Sequence, residues 1–505
     1  MDAGFDLISW LLPAGLFVII LYLLYEQQSN IWEKKKVPCL KRKFLFGNIW
    51  PALTLKRALA QYFDDMYKEA GDVPYFGFYV MNKPGLLIKN PEIIKNVLVK
   101  DFNVFMHRNF DISHNLDPIA RGNTFFNNTA RWRGLRANLS PMFTSSRIKF
   151  MFSLMSEVAD DLKKKISKEC DKEGVTDVLE LNAQYTTDII SSVVMGFKSN
   201  CLTDPNSVYR KVGKKALELT APRAFQFVTM FLTPPIANLL RYRSMPPETA
   251  NMMGETFETM VKHRKENNVQ RNDLIEHLNQ LREKKNDGDP AKTLEPFEIL
   301  GTLTSFFVAG FETTASTMSY TLYELAFNQD YQDLLRSEIK HSLAENNGNI
   351  TYELVQNVKY LEWAVNETLR KYPLLGFLDR KCMADYKVPG HDLIIPAGTK
   401  IYISLNGLQR DPKYFPDPEK YDPYRFSEDR KQSIVPFTYI PFGEGPRICI
   451  GMRFGLMSAK TGLLQILRNF RVEPSDETPR KIQYHEHSIL TTPKGLLKLK
   501  FVPDA

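Results

Sequence analysis

One cysteine in a glycine-rich stretch constrains this chain more than any other feature of its sequence. The stretch reads PFGEGPRICIG and covers residues 441–451, with Cys449 two residues after Arg447. Gly443 and Gly445 allow the backbone to fold tightly and to approach a flat object closely. Cys449 is predicted to lie at the start of the following helix, where backbone N–H groups favour a thiolate, the form of cysteine that binds metal. Arg447 can pair with a carboxylate through its planar guanidinium group.

These features admit two interpretations of Cys449. The first is that it ligates a large planar metal group that carries carboxylates, a description that fits haem with its propionates. The second is that it is a buried structural cysteine in a glycine-rich turn.

The composition excludes several classes of protein. The chain of 505 residues has five cysteines at scattered positions, and such an odd number is not a disulfide framework but suits a reducing compartment. The net charge of +8 comes without a dense run of Lys and Arg among aromatic residues, which argues against nucleic-acid binding.

The N-terminal segment is predicted to span a membrane. Residues 7–25 (LISWLLPAGLFVIILYLLY) contain no charged side chain and are long enough to cross a bilayer core as a helix. Basic residues follow at 34–36 and 41–43, which predicts that the rest of the chain stays in the cytoplasm. A buried core helix is the alternative interpretation of the apolar segment.

The chain is predicted to divide into an N-terminal transmembrane anchor at residues 1–25, a basic linker at 26–45 and one large domain at 46–505. This domain is predicted to be α+β and mainly α-helical, with small β-sheets. The segment 222–247 is apolar, aromatic and interrupted by prolines. It suits a mobile lid or a membrane-touching segment, and a loop packed over the core is the alternative.

The secondary structure of the domain follows from periodicity and from turn residues. Two short strands are predicted within residues 75–90, around a turn. A long helix is predicted from near Pro296 to beyond Leu325, and another over 350–372. A last helix is predicted from about Gly451 to Leu467.

The cysteine stretch resembles the haem-binding loop of the cytochrome P450 family, in which the spacing F-x-x-G-x-R-x-C-x-G is characteristic. The resemblance implies haem b as cofactor, with Cys449 as the thiolate ligand of the iron. It also implies that Phe442, Arg447 and Gly451 bind the cofactor. Whole-chain similarity is closest to the microsomal families that arthropods use on dietary toxins, as FFVAGFETTASTMSYTLYELA and FGEGPRICIGMRFGLM indicate.

The long helix carries an acid and an alcohol next to each other, Glu312 and Thr313. A threonine on an apolar helical face often bonds back to the carbonyl four residues earlier, and Gly310 weakens the same turn. The opened turn could hold water and pass protons. The resemblance assigns Thr313 and Glu312 to proton delivery during oxygen activation, and a threonine packed in a core helix is the alternative.

Further motifs follow in the order that the family has them. The resemblance implies a buried structural lock of Glu367, Arg370 and Arg425, in which Tyr424 departs from the family's usual acidic residue. It also implies that haem propionates are held by Trp132, Arg136 and Arg380.

The substrate pocket is predicted to be apolar and aromatic. By position in the family pattern, its candidate residues are Phe125, Phe126, Phe227, Phe231, Phe307, Ala309, Leu375, Phe377 and Leu490.

The resemblance implies a monooxygenase that inserts one oxygen atom of O2 into apolar small molecules, with xenobiotics, plant toxins or insecticides, or endogenous lipids or hormones, as substrates. Electrons would come from NADPH through an NADPH-cytochrome P450 reductase, with cytochrome b5 as a second partner, at the endoplasmic reticulum membrane. Arg131, Arg133, Arg453 and Lys460 would form a basic face for the reductase. The alternatives are a haem-thiolate isomerase or dehydratase, and a non-enzymatic haem sensor.

Overall fold

The computed structural model describes residues 30–113, 115–204, 206–283 and 293–504, together with positions 11, 13, 15 and 16. The predicted membrane-spanning segment at 7–25 lies outside the described residues, apart from those four positions. Among the residues that are described, no helix is both long enough and apolar enough to cross a membrane.

Helices dominate the fold, as predicted. The α-helices are α1 (Ile31–Lys34), α2 (Trp50–Leu53), α3 (Leu59–Glu69), α4 (Pro91–Lys95), α5 (Pro118–Gly122), α6 (Arg131–Leu139), α7 (Ser145–Cys170), α8 (Val178–Ile189), α9 (Val208–Ala216), α10 (Ala221–Leu232), α11 (Pro234–Leu239), α12 (Pro247–Glu266), α13 (Leu274–Glu283), α14 (Pro296–Phe327), α15 (Gln329–Glu345), α16 (Tyr352–Asn357), α17 (Lys359–Lys371), α18 (Leu405–Gln409) and α19 (Met452–Asn469). Two π-helical turns, Asn96–Lys100 and Ile190–Val194, continue α4 and α8.

Three small β-sheets accompany the helices. Their strands are β1 (Tyr75–Val80), β2 (Lys83–Ile88), β3 (Val175–Asp177), β4 (Phe377–Lys381), β5 (Tyr386–Lys387), β6 (Ile394–Ile395), β7 (Lys400–Ser404), β8 (Phe470–Pro474) and β9 (Lys498–Pro503). The largest sheet has the order β1-β2-β7-β4, and only its β2–β7 pair is parallel. The two strands predicted within residues 75–90 are confirmed as the β1–β2 hairpin, with Tyr75 opposite Ile88.

The long helix α14 forms the centre of the molecule and matches its predicted limits. A capping box fixes its start, because the Glu295 carboxylate accepts from the Glu298 backbone N–H while Glu298 accepts from that of Glu295. Pro296 occupies the first helical position, where its missing N–H costs nothing. The helix predicted over 350–372 is instead two helices, α16 and α17, which meet at Val358, an extended residue.

The predicted linker at 26–45 contains a fully buried tryptophan. Trp32 has no exposed surface, and its indole N–H donates to the Phe78 carbonyl of β1 at 3.1 Å. The backbone of Gly77 lies under the indole, where a Cβ atom would be only 2.7 Å from the ring. The segment around Trp32 is therefore packed into the sheet.

The core consists of two large apolar clusters. One surrounds α14 and α19 and contains Phe306, and the other lies between the main sheet and α10 and contains Phe227 and Phe231. Because Phe306, Phe227 and Phe231 also line one internal cavity, the cavity lies where the two clusters meet.

Candidate active site

The cysteine loop folds as a tight turn before α19. The Cys449 N–H donates to the Phe442 carbonyl at 2.9 Å, which closes the loop. Gly443 and Gly445 adopt φ values of 72° and 73°, a region that favours glycine. Gly451 is the N-cap residue of α19, so Cys449 stands just before the helix, as predicted.

The Cys449 side chain faces the internal cavity. The side chain is accessible from this cavity, and desolvation by the protein around it raises the pKa of the thiol. A hydrogen bond from the Gly451 N–H and the charge of Arg136 act in the opposite direction. A bound metal ion would supply the remaining stabilisation of the thiolate, because coordination displaces the thiol proton.

The cavity has a volume of about 370 Å³ and brings together most of the residues predicted to act. Its walls include Cys449, Thr313, Trp132, Arg136, Arg380, Phe442, Arg447 and Gly451, together with Phe125, Phe126, Phe227, Phe231, Ala309, Leu375 and Leu490. Residues that sequence reasoning missed, such as Arg108, Ile190, Phe306 and Leu378, also line it.

Two predicted pocket residues do not line the cavity. Phe307 is fully buried on a different face of α14, where its ring packs 5.7 Å from that of Phe311. Phe377 lies in β4 and packs its ring 4.9 Å from Phe63 instead. The reason is strand alternation, because successive side chains point to opposite faces and Leu378 takes the cavity side.

The acid and the alcohol of α14 point in different directions. The Thr313 hydroxyl faces the cavity and donates to the Ala309 carbonyl at 2.7 Å, the predicted bond to the residue four positions earlier. Glu312 does not line the cavity. Burial raises the pKa of its carboxyl group, with Arg210 and Lys214 opposing the shift. A carboxyl that keeps its proton more readily is a suitable proton donor.

Four arginines line the cavity near Cys449: Arg108, Arg136, Arg380 and Arg447. No Asp or Glu lines the cavity among the described residues. The Nε and Nη1 atoms of Arg447 and the Nε atom of Arg380 are buried without a hydrogen-bond partner in the described part of the chain. Burial and nearby guanidinium groups lower the pKa of Arg447 to about 8 and that of Arg380 to about 9. The cavity wall thus has an excess of positive charge that carboxylates would balance.

Haem fits this wall. Its two propionates carry negative charge that would balance the positive charge of Arg447 and Arg380. The unpartnered guanidinium N–H groups of these two residues can bind the propionates. Arg447 also stacks on the indole of Trp132, with its Cζ atom 4.3 Å from the ring centroid. The Trp132 indole N–H itself donates to the Thr124 carbonyl at 3.0 Å, so it is already engaged in this structure. Arg136 donates to the Ile448 carbonyl at 2.7 Å, next to Cys449.

Comparison with known proteins agrees with this geometry. The sequence profile of the family Cytochrome P450 matches residues 37–501. Cytochrome P450 6k1 of Blattella germanica is 41% identical, over 98% of this chain and 97% of the relative. Probable cytochrome P450 6g2 of Drosophila melanogaster is 34% identical, over 99% of both chains. Cytochrome P450 6a2 of Drosophila melanogaster is 36% identical, over 95% of this chain and 97% of the relative.

This chain belongs to the cytochrome P450 family. Membership makes it a haem-thiolate monooxygenase, and the relatives named above are insect members of the family. The predicted family and the predicted α+β fold are both confirmed.

The three residues predicted to form the P450 structural lock are in contact. Glu367 and Arg370 have no exposed surface and pair through two hydrogen bonds of 2.7 and 2.8 Å. Arg425 is more distant, with its Nε atom 3.5 Å from the Glu367 carboxylate. Tyr424, the departure from the family pattern, packs edge-on against the ring of Tyr331 at 5.6 Å. Tyr424 thus takes part in aromatic packing next to Arg425 in the chain.

The predicted basic face of this P450 has fewer exposed cations than the sequence indicated. Arg131 pairs with the buried Glu298 carboxylate at 2.7 Å, and Lys460 pairs with Glu362 at 3.2 Å. Both side chains are turned toward the protein, with exposed fractions of 26% and 11%. Of the four predicted residues, Arg133 and Arg453 remain exposed.

Arg108 had no motif to identify it. It lies 271 positions before Asp379 of β4, yet its guanidinium pairs with that carboxylate at 2.9 Å. Asp379 also accepts from the Asn109 backbone N–H at 2.6 Å, so it holds the loop before α5 in place. The only signal in the sequence is the carboxylate beside Arg380, which a single sequence cannot link to Arg108.

Proposed function

We propose that this P450 inserts one oxygen atom of O2 into apolar foreign compounds such as plant toxins and insecticides, with endogenous lipids or hormones as further substrates. The observation that carries the proposal is the position of Cys449 and Thr313 on one cavity whose remaining wall is mostly apolar. Such a wall excludes water and orients an apolar molecule through aromatic contacts.

The aromatic residues that face a substrate come from three parts of the chain. Phe125 and Phe126 precede α6, Phe227 and Phe231 lie on α10, and Phe306 lies on α14. The ring centroids of Phe125 and Phe126 are 5.0 Å apart in an edge-on arrangement. Rigid rings of this kind give a large contact area at a small cost in entropy, which suits recognition of several apolar compounds.

Each end of the cavity has its own chemical role in this proposal. Cys449 would ligate the haem iron, and Arg380 and Arg447 would hold the propionates. Haem held by this thiolate would supply the oxygen-activating chemistry. The Thr313 hydroxyl holds and passes a proton at its Oγ1 atom, and Glu312 replaces that proton.

The partners belong to the same proposal. Electrons come from NADPH through an NADPH-cytochrome P450 reductase, with cytochrome b5 as a second donor, and Arg133 and Arg453 provide positive charge for an acidic partner. Residues 7–25 anchor the chain in the endoplasmic reticulum membrane as a single span, and the catalytic domain faces the cytoplasm.

The test is the absorption spectrum of the purified protein after reduction in the presence of carbon monoxide, followed by turnover with the reductase. We expect the spectrum of a thiolate-ligated haem and NADPH-dependent oxygenation of apolar test compounds. Cys449→Ser should lose that spectrum, while Cys382→Ser, which removes a buried cysteine outside the cavity wall, should keep it. A protein that binds haem without the thiolate spectrum, or that binds none, would refute the proposal.

A further inference from the structure

Three charged residues outside the cavity wall act on the Glu312 carboxyl group. They are Arg210 and Lys214 of α9 and Glu180 of α8, and all three act electrostatically on Glu312. Helix α9 approaches α14 closely at this point, because a Cβ on Gly213 would be 3.1 Å from the Phe311 ring. The Arg210 guanidinium lies 5.6 Å from the centroid of that same ring, which belongs to the neighbour of Glu312.

Arg210 is held firmly on one side and is unsatisfied on the other. Its Nε and Nη2 atoms donate to the two Glu180 oxygens at 3.2 and 2.8 Å. Its Nη1 atom is buried and has no hydrogen-bond partner among the described residues, and the whole side chain is only 9% exposed. A buried guanidinium N–H without a hydrogen-bond partner costs free energy, so an acceptor is expected to approach it.

Glu180 connects this pair to solvent. Its side chain is 32% exposed, and its Oε2 atom also lies 3.0 Å from Lys214 Nζ, which is 57% exposed. Burial opposes ionisation of Glu180, but Arg210 and Lys214 outweigh it and lower the pKa of the carboxylate. Glu180 therefore stays charged and keeps Arg210 in place.

We propose that Arg210 is a positioning residue for proton delivery. Arg210 pairs with the Glu312 carboxylate after Glu312 has given up its proton toward Thr313. Arg210 then donates a hydrogen bond from Nη1 to that carboxylate. A proton from bulk solvent, carried by water past Glu180, returns to Glu312 and restores the starting state. The net change is one proton moved from solvent to the cavity, with no change at Arg210 or Glu180.

This inference rests on the proposed function. It adds a third residue, Arg210, to the proton-delivery pair of Glu312 and Thr313. In the absence of Arg210, the charged form of Glu312 would keep only the weaker effect of Lys214 and would be disfavoured by burial. Glu312 would then hold its proton more tightly and deliver it more slowly.

The test compares Arg210→Met, Arg210→Lys and Glu180→Gln with the exposed control Lys211→Met on the same helix, in the haem-loaded full chain. The first measurement is an infrared titration of the Glu312 carboxyl band without turnover, with the band identified by its loss in Glu312→Gln. We expect Arg210→Met to shift this titration upward by about one pH unit, within the range that a nearby charge produces. Glu180→Gln removes a negative charge that raises the Glu312 pKa, so it should shift the titration downward instead, and Lys211→Met should give no shift.

The second measurement is the ratio of hydrogen peroxide to oxygenated product. It should rise several-fold in Arg210→Met and less in Arg210→Lys, which keeps the charge. Normal haem content and a normal thiolate spectrum in every variant would show that the proposed function is intact. An unchanged titration and an unchanged ratio in Arg210→Met, or an equal effect in Lys211→Met, would overturn the role of Arg210 alone.

Discussion

Gly445 of the cysteine loop lies directly against the carbonyl of Leu98, so that a Cβ atom on Gly445 would stand 2.0 Å from that oxygen. Leu98 belongs to the π-helical turn Asn96–Lys100. The loop that carries Cys449 therefore packs against a second backbone segment. This close contact requires glycine at position 445, because any side chain there would meet the Leu98 carbonyl.

The first prediction concerns this contact. Gly445→Ala should sharply lower haem incorporation, because the new methyl group both meets the Leu98 carbonyl and sits at a positive φ. Gly443→Ala is the matched control. It has nearly the same φ, but its Cβ would lie 3.8 Å from Leu378, an ordinary contact. Haem absorbance per protein and the melting temperature would measure both. Equal losses in the two variants would show that φ alone matters.

The second prediction concerns the proton-carrying alcohol. Thr313→Ala should keep haem and its thiolate spectrum but should divert most electrons to hydrogen peroxide. Thr317 is the control, since it also faces the cavity and donates to the carbonyl four residues earlier, at 2.9 Å. Thr317→Ala should leave coupling close to that of the native enzyme. The measurement is product formed per NADPH consumed, and unchanged coupling in Thr313→Ala would contradict the assignment.

The third prediction concerns the buried lock. Arg370→Met should destabilise the protein by about 3–5 kcal/mol, since it leaves the Glu367 carboxylate buried without its main partner. Arg425→Met should cost less, because Arg425 Nε is 3.5 Å from that carboxylate and makes the weaker contact. Denaturant unfolding at neutral pH would measure both variants. A larger loss in Arg425→Met would reverse our ranking of the two arginines.

The fourth prediction concerns pH and Lys400, whose ammonium group donates to the Leu232 carbonyl at the end of α10. Burial, with Lys83 and Lys381 adding to it and Asp379 and Asp111 opposing it, lowers the pKa of Lys400 from 10.5 to about 7. Between these values the unfolded chain binds more protons than the native protein, so this group makes native stability rise with pH. At pH 7 and below, the group opposes folding most strongly.

The variant Lys400→Met removes this dependence. Its melting temperature relative to that of the native protein should therefore fall as the pH rises from 7 to 10. The exposed Lys387→Met is the control and should track the native protein throughout. Parallel curves for Lys400→Met and the native protein would show that Lys400 does not titrate in this range.

The sequence was a good guide wherever a motif fixes local geometry. The loop around Cys449 and the limits of α14 could be predicted from the sequence. Glycines, a proline and a capping residue determine the backbone only within a few positions along the chain, so their effect is local. The contact of Glu367 with Arg370 was also predictable, since the two lie one helical turn apart.

Contacts between distant segments could not be predicted in this way. Arg108 reaches the cavity only because Asp379 binds it, and no local pattern encodes that pairing. Phe307 was misplaced because a helix buried on nearly all sides has no distinct apolar face, and α14 is such a helix. Phe377 was misplaced because a strand of five residues does not reveal which of its faces meets the cavity.

The burial of Trp32 bears on how a shortened form of this enzyme should be designed. Its removal would leave the backbone over Gly77 uncovered and Phe78 without its indole donor. A truncated protein intended for crystallisation should therefore begin no later than Asn30, even though the composition up to residue 45 suggests a dispensable tether.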